Sequence, residues 1–256
     1  MTTVILAGGL GTRLGDETRV RPKPMIEIGG KPLVWHIMSI FASYGYKEFI
    51  LALGYLQEVV KEYFLRLNQL NADLGINLAS GEVCSGQGRK LDWGIHLVYT
   101  GALTATGGRL KRLAPRLSGA GDFLLTYGDG VGDINVDELV RFHRSHGKLA
   151  TVTAVRAPER FGRIKMDGDL VTDFKEKPPD GGDWINGGFF VLSEKVLDYI
   201  DGDETSWEHE PLERLVKEGQ LAAYRHHGFW SSVNTPEDKA YLEQSWRENR
   251  AQWKNW

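Results

Sequence analysis

The chain has 256 residues, 41% of them hydrophobic and 25% charged, ordinary for a globular protein and long enough to bury a substantial core. Its 31 basic and 34 acidic residues leave a net charge of −3 with no long block of Lys and Arg, which argues against nucleic acid as the main partner. Cys84 is the single cysteine, and no apolar stretch approaches the roughly 20 residues that span a bilayer, so the expected setting is the cytoplasm, with no internal disulfide, signal peptide or membrane partner.

Residues 4–7 form a short apolar run that ends in glycines, the pattern of a buried parallel strand entering a loop. Pro32 then starts a predicted helix whose apolar positions, Leu33, Val34, Ile37, Met38, Ile40, Phe41 and Tyr44, have helical spacing, with Gly45 as the stop. A strand over 49–53, a helix over 59–67, a strand over 95–99, a helix through Leu110 and Leu113, and a strand over 123–127 follow. Residues 80–94, rich in glycine and polar side chains, read as a long loop or insertion, either mobile or used in subunit contact. The second half is less regular: strands over 151–155 and 189–192, a β-hairpin over 164–174 turning at Asp167-Gly168, and a last helix over 236–248. His143 and His146 fall on a helix beginning near Asp137 and read as surface residues, not zinc ligands. Most of the eight tryptophans read as core or subunit-contact anchors.

Strands alternating with helices predict an α/β fold: a Rossmann-like, mostly parallel sheet flanked by helices, with a smaller β-rich portion. Ligands in such folds sit beyond the carboxyl ends of the strands. Two loops would lie on that edge. The first is Gly8-Gly9-Leu10-Gly11-Thr12-Arg13, with Lys23 ten residues after Arg13. Glycines bring main-chain N–H groups close to phosphates, and Arg13 and Lys23 add positive charge. A dinucleotide fingerprint beginning at Gly9 needs a small residue at position 14, where Leu14 stands. A Walker loop needs Ser or Thr after Gly30-Lys31, where Pro32 stands. A phosphate loop of another kind remains.

The second loop is Tyr127-Gly128-Asp129-Gly130. By itself it is equally an Asp-Gly surface turn or a metal-binding carboxylate; on the same sheet edge as the glycine loop, the magnesium reading is favoured. Glu208 and Glu210 have the look of a paired-acid site, but their Trp-Glu-His-Glu-Pro setting favours a structural or sugar-contact role.

Residues 6–14 and Arg21-Pro22-Lys23-Pro24 resemble the signature of the sugar-1-phosphate nucleotidyltransferase family. Ile28-Gly29-Gly30-Lys31-Pro32, Thr106-Gly107-Gly108-Arg109, Glu176-Lys177-Pro178, Asn186-Gly187-Gly188-Phe189 and Trp207-Glu208-His209-Glu210 are similar to its glucose-1-phosphate cytidylyltransferase branch.

The resemblance implies a cytidylyl transfer from CTP to α-D-glucose 1-phosphate, giving CDP-glucose and pyrophosphate for nucleotide-sugar and polysaccharide synthesis. It further implies Mg2+ and a homo-oligomer, often a hexamer. It places Leu6, Gly8, Gly9, Gly11, Thr12, Arg13, Thr104, Gly108, Arg109 and Gly128 on the nucleotide, and Lys23 at the phosphates near the reacting phosphorus. Asp129 would hold the metal, and Glu176, Lys177, Asn186 and Gly187 would face the sugar phosphate. Arg13, Lys23 and Asp129 would be the catalytic set, in one domain over 1–256 with nucleotide binding mainly in 1–150 and sugar-phosphate binding and oligomer contacts in 151–256. One position departs: relatives carry Asp where this chain has Asn234, which keeps an oxygen for the metal but brings no charge. That departure leaves open another base or sugar, GTP with an unusual sugar phosphate for instance. A non-catalytic nucleotide-sugar sensor is the alternative of another class.

Overall fold

The computed structural model describes residues 1–9, 11, 14, 17–88, 91–156, 163–175 and 184–256. Among them the main sheet has nine strands: β1 (Thr3–Ala7), β2 (Glu48–Leu53), β3 (Gly94–Tyr99), β4 (Asp122–Tyr127), β5 (Ala150–Val155), β6 (Arg163–Asp167), β7 (Leu170–Lys175), β8 (Ile185–Ser193) and β9 (Leu221–His226). Their spatial order is β5-β9-β7-β6-β8-β4-β1-β2-β3. The strands β4, β1, β2 and β3 run parallel, and β8 joins them antiparallel to β4, so one sheet continues from the first half of the chain into the second.

Alternation along β1 shows why the sheet is covered on both faces. Ile5 and Ala7 enter one apolar cluster, with α1 (Leu33–Ser43), Val60 of α2 (Gln57–Leu70) and Leu242 near the C-terminus. Val4 and Leu6 enter the other, with Leu110 of α3 (Thr106–Arg112). The first cluster also takes Val136, Leu139 and Val140 of α4 (Val136–His146), and the second takes Leu212 and Leu215 of α5 (Glu210–Lys217). The Asn135 side chain caps α4 by accepting from the Glu138 N–H, and Gly147, at φ 65°, ends it in the left-handed region. The last helix, α6 (Pro236–Arg247), starts in a capping box between Thr235 and Asp238.

Register brings the strand ends level. Leu6 lies opposite Tyr127, Ala7 opposite Leu53, and Leu53 opposite Tyr99, so the loops after β1, β2, β3 and β4 open on one edge.

Two expectations are corrected. Much of the segment read as a loop over 80–94 is ordered: Glu82–Gly88 pairs with Ala72–Asn77 in a hairpin. Glycines in a strand weaken its sequence signal, yet this pairing needs only main-chain groups. His143 and His146 are not surface residues. His143 is 3% exposed, His146 is half-buried, and both rings lie 2.8 Å from the Thr151 hydroxyl. Burial lowers both imidazole pKa values, so these are neutral packing residues joining α4 to β5.

Candidate active site

A cleft of about 470 Å³ opens on the level strand ends. Of the residues expected on a nucleotide, Leu6, Gly8, Gly9, Gly11, Thr104, Arg109 and Gly128 line it, together with Lys23 and Asp129. Thr12 and Arg13, and on the sugar side Glu176 and Lys177, lie outside the described residues. Gly108 is not in the lining. A side chain there would start 2.5 Å from the Asp203 carbonyl, and its own N–H donates to the Thr205 carbonyl at 3.1 Å, so this glycine seats α3 against the 202–207 segment.

The glycine loop rests on a buried cation. Arg109 is 4% exposed, and its guanidinium lies directly beneath Gly8. Nη1 donates to the Leu53 carbonyl at 3.1 Å, the Thr100 hydroxyl at 2.9 Å and the Gly101 carbonyl at 2.7 Å; Nη2 donates to the Gly8 carbonyl at 3.0 Å and the Ala102 carbonyl at 3.4 Å. One side chain thus ties the ends of β1, β2 and β3 together. Burial lowers its pKa, but a guanidinium stays charged at any physiological pH. Its exposed edge lies in the cleft, beside Leu103, whose 79% exposure puts an apolar surface at the mouth. Sequence reading missed Leu103, because one leucine in a loop carries no periodic signal.

Lys23 reaches the cleft on a short 3-10 turn, Lys23–Met25, which Pro22 enters at φ −68°. Its ammonium lies 2.5 Å from Oδ2 of Asp129 and 2.7 Å from Oδ1 of Asn234. Three distant pieces of chain meet here. Asp129 follows β4, and the next residues, Gly130–Gly132, pair with Trp230–Ser232 in a small antiparallel ladder. The Val233 N–H continues that ladder to the Asp129 carbonyl at 2.8 Å, which sets Asn234 beside Asp129. Gly128 is required on packing grounds: a side chain there would start 2.7 Å from Pro24 Cγ and 3.0 Å from the Leu6 carbonyl.

Asn234 is held from both sides. Its Nδ2 donates to the Ser232 hydroxyl at 2.8 Å, and its main-chain N–H to the Asp238 carboxylate at 2.8 Å. Asp238 also accepts from the Thr235 N–H, so its carboxylate serves the capping box. An ammonium only donates, so the atom that Asn234 presents to Lys23 is its oxygen. The site therefore aims one carboxylate oxygen and one amide oxygen at a single cation.

Asn186 and Gly187 follow Ile185 at the start of β8. The Asn186 amide reaches the Tyr127 hydroxyl at 3.5 Å, and the Gly187 carbonyl accepts from the Trp230 indole at 2.8 Å. Arg156 lies over the Trp184 ring, 5.0 Å from its centroid, and His227 meets that ring edge-on. Glu208 accepts from the Thr106 hydroxyl at 2.5 Å, which ties the 206–209 turn to the first residue of α3.

A glycine loop on a parallel sheet edge, facing a lysine and a carboxylate across one cleft, defines a nucleotide-handling α/β protein. Residues 2–247 match the nucleotidyl transferase family, and the chain belongs to it. It is 48% identical over 256 residues, all of both chains, to a glucose-1-phosphate cytidylyltransferase of Salmonella typhi. It is 43% identical, again over all of both chains, to a probable glucose-1-phosphate cytidylyltransferase of Bacillus subtilis. Among solved structures it is similar to HddC of Yersinia pseudotuberculosis, with a TM-score of 0.78 at 23% identity over 96% of this chain and 99% of that one. A UDP-glucose pyrophosphorylase in complex with UDP-glucose superimposes with a TM-score of 0.75 at 16% identity, over 97% of this chain and 99% of that one. These likenesses bear out the expected fold and family.

Proposed function

We propose that this enzyme transfers a cytidylyl group from CTP to α-D-glucose 1-phosphate, giving CDP-glucose and pyrophosphate. The observation that carries the reading is the convergence of Lys23, Asp129 and the glycine loop on one cleft at the strand ends. Full-length identity of 48% to a glucose-1-phosphate cytidylyltransferase supports the choice of base and sugar.

A phosphate oxygen of the sugar phosphate attacks the α-phosphorus in line, and pyrophosphate leaves. The attacking oxygen is already an anion, so no general base is needed, and positioning with charge neutralisation does the work. The glycine loop directs main-chain N–H groups at the triphosphate, Lys23 neutralises charge near the α-phosphorus, and Arg13 stabilises the leaving pyrophosphate. Residues 1–150 supply most of the nucleotide side; Asn186 and Gly187, with Glu176 and Lys177, serve the sugar phosphate.

The donor set suits magnesium. Asp129 and Asn234 already turn two oxygens toward one cation, and magnesium commonly takes one or two carboxylates with substrate phosphates completing its shell. Asp129 and Asn234 would hold it, and it would supply charge neutralisation on the phosphates.

The homo-oligomer belongs to the same proposal. Leu74, Ile76 and Val83 share one face of the hairpin and are 43–57% exposed, and Leu78 at its tip is 92% exposed. A two-stranded hairpin is marginal alone in water, and its apolar face fits a second copy of the chain.

The deciding experiment assays pyrophosphate release from four nucleoside triphosphates against several sugar 1-phosphates, with Mg2+. Release with CTP and glucose 1-phosphate is expected, and Arg13→Ala should lower turnover by about 10²–10³. No release in any combination defeats the transferase reading and favours a nucleotide-sugar sensor. Release with GTP but not CTP defeats the cytidylyl assignment.

A further inference from the structure

Lys23 stands between two duties. Its Cβ lies beside the glycine loop, 3.4 Å from where a side chain at Gly11 would begin, and the residue lines the same cleft as that loop. Its ammonium sits on Asp129 and Asn234 at 2.5 and 2.7 Å. The lysine side chain is 15% exposed and the aspartate 29%, so the pair is partly desolvated without being sealed. These are the two oxygens that suit a metal.

We propose that Lys23 and the divalent metal are alternative occupants of one position. In the ligand-free enzyme the ammonium closes the site between Asp129 and Asn234; the metal enters only as Lys23 swings out, weakly when it is alone and readily when phosphates receive the lysine. The inference rests on the magnesium-dependent transferase reading above.

Charge and space give the same answer. Magnesium needs its oxygens at about 2.0–2.1 Å. An ion that close to the Asp129 and Asn234 oxygens meets the Lys23 ammonium at contact distance, and the two cations repel. Asn234 contributes no charge, so one ammonium already balances the one carboxylate, and a bare metal ion meets a neutralised site. A metal arriving with a nucleotide changes the balance, because the phosphates offer Lys23 new anionic partners as it gives up Asp129. Exchange thus couples seating of the metal to delivery of the lysine where charge must be neutralised. With Asp in place of Asn234, the empty site would carry a second negative charge and this balance would not hold.

The test uses the full chain and Mn2+ alone as probe, with free Mn2+ followed by electron paramagnetic resonance and no nucleotide present. K23M should bind Mn2+ about tenfold more tightly than wild type, since one adjacent positive charge is gone, while its turnover falls. A lysine needed only for structure would not tighten metal binding. Equal or weaker Mn2+ binding by K23M, or no binding by either protein at millimolar metal, overturns the exchange.

A second measurement needs no variant: bare Mg2+ competes poorly with the ammonium, but once raised to saturation it must displace it, so acylation of Lys23 in wild type, read by peptide mass spectrometry, should rise several-fold along the Mg2+ titration. Unchanged or reduced labelling overturns the proposal. The pyrophosphate matrix judges the underlying reading separately. Active wild type with no tightening in K23M sinks the exchange alone; inactive wild type with the tightening intact sinks the transferase and leaves the exchange standing.

Discussion

Replacing Arg109 separates a brace from a nucleotide contact. Its guanidinium donates to four main-chain carbonyls and one hydroxyl at the ends of β1, β2 and β3. In Arg109→Met the methionine fills much of the volume but donates to none of them. Not every acceptor is stranded: the Leu53 carbonyl keeps the Thr100 N–H at 2.8 Å, and the Gly8 carbonyl keeps the Tyr55 N–H at 3.3 Å. The Thr100 hydroxyl likewise keeps its own bond to the Leu53 carbonyl at 2.9 Å, so the loss falls mainly on the Gly101 and Ala102 carbonyls. Hydrogen bonds to a charged group contribute about 1.5–3 kcal/mol each, so the variant should lose ~3–5 kcal/mol. For a chain of this size that is a fall in Tm of roughly 10 °C. Thermal melts followed by far-ultraviolet circular dichroism, with KM for the nucleotide alongside, give the answer. Arg109→Lys keeps the charge but not the fork, and should fall between the two. If Arg109→Met melts within about 2 °C of wild type while its nucleotide KM rises at least tenfold, the residue is a ligand contact and the bracing argument fails.

Other substitutions address separate parts of the molecule. His36 is fully buried, with Nε2 2.8 Å from the Ile28 carbonyl and the Trp253 indole donating to Nδ1 at 3.4 Å. Burial lowers its pKa to about 4, against 6.5 for an exposed imidazole. Between those values the unfolded chain takes up a proton that the folded one refuses, so stability is complete above about pH 6.5 and falls toward pH 4, by up to ~3 kcal/mol. Thermal melts from pH 7 to 5 should show that slope, and it should flatten in His36→Asn. Asn234→Asp adds one negative charge, which attracts a divalent ion twice as strongly as an ammonium. The half-saturating Mg2+ should drop by about tenfold, even taking water's dielectric constant at ~3 Å, and an unchanged Mg2+ titration would count against Asn234 as a ligand. Ile76→Asp places a charge on the apolar hairpin face; light scattering after gel filtration should report a smaller species of unchanged secondary structure, and an unchanged mass would remove the hairpin from the interface.

The first half of the fold was legible because its strands are buried on both faces and read as continuous apolar runs, 4–7, 49–53 and 123–127 among them. The second half was less so, for reasons that differ by element. Residues 221–226, Leu-Ala-Ala-Tyr-Arg-His, lack β-branched side chains and form a strand because Ala150–Val155 pairs along their whole length. The ladder of Gly130–Gly132 with Trp230–Ser232 is three residues long, too short for any periodicity, yet it brings Asp129 and Asn234 together. Lys23 and Asp129 were named from their loops and Asn234 only through a family resemblance, and no spacing in the chain announces an ammonium reaching across 106 residues to Asp129 and 211 to Asn234. His143 and His146 were misread because Thr151, their common partner, lies past the end of their own helix.

The glycine loop itself is where sequence and structure inform each other most. Its three glycines look alike in the motif, but the fold gives each a different reason. A side chain at Gly8 would start 2.3 Å from the pinned Arg109 guanidinium, and one at Gly54, on the neighbouring strand end, 2.5 Å from the same group. Gly8 is therefore demanded from below, by the cation that braces the loop. Gly11 has φ 65°, and its carbonyl accepts from the Thr18 hydroxyl at 3.1 Å, so backbone geometry demands it. Gly9 is exposed in the cleft, with nothing among the described residues within 4 Å of where its side chain would start. Packing and dihedral angle alone would tolerate alanine there, whereas a phosphate approaching the main chain would not. Of the three glycines, Gly9 is the one whose presence points to a ligand, and the other two hold the loop in place for it.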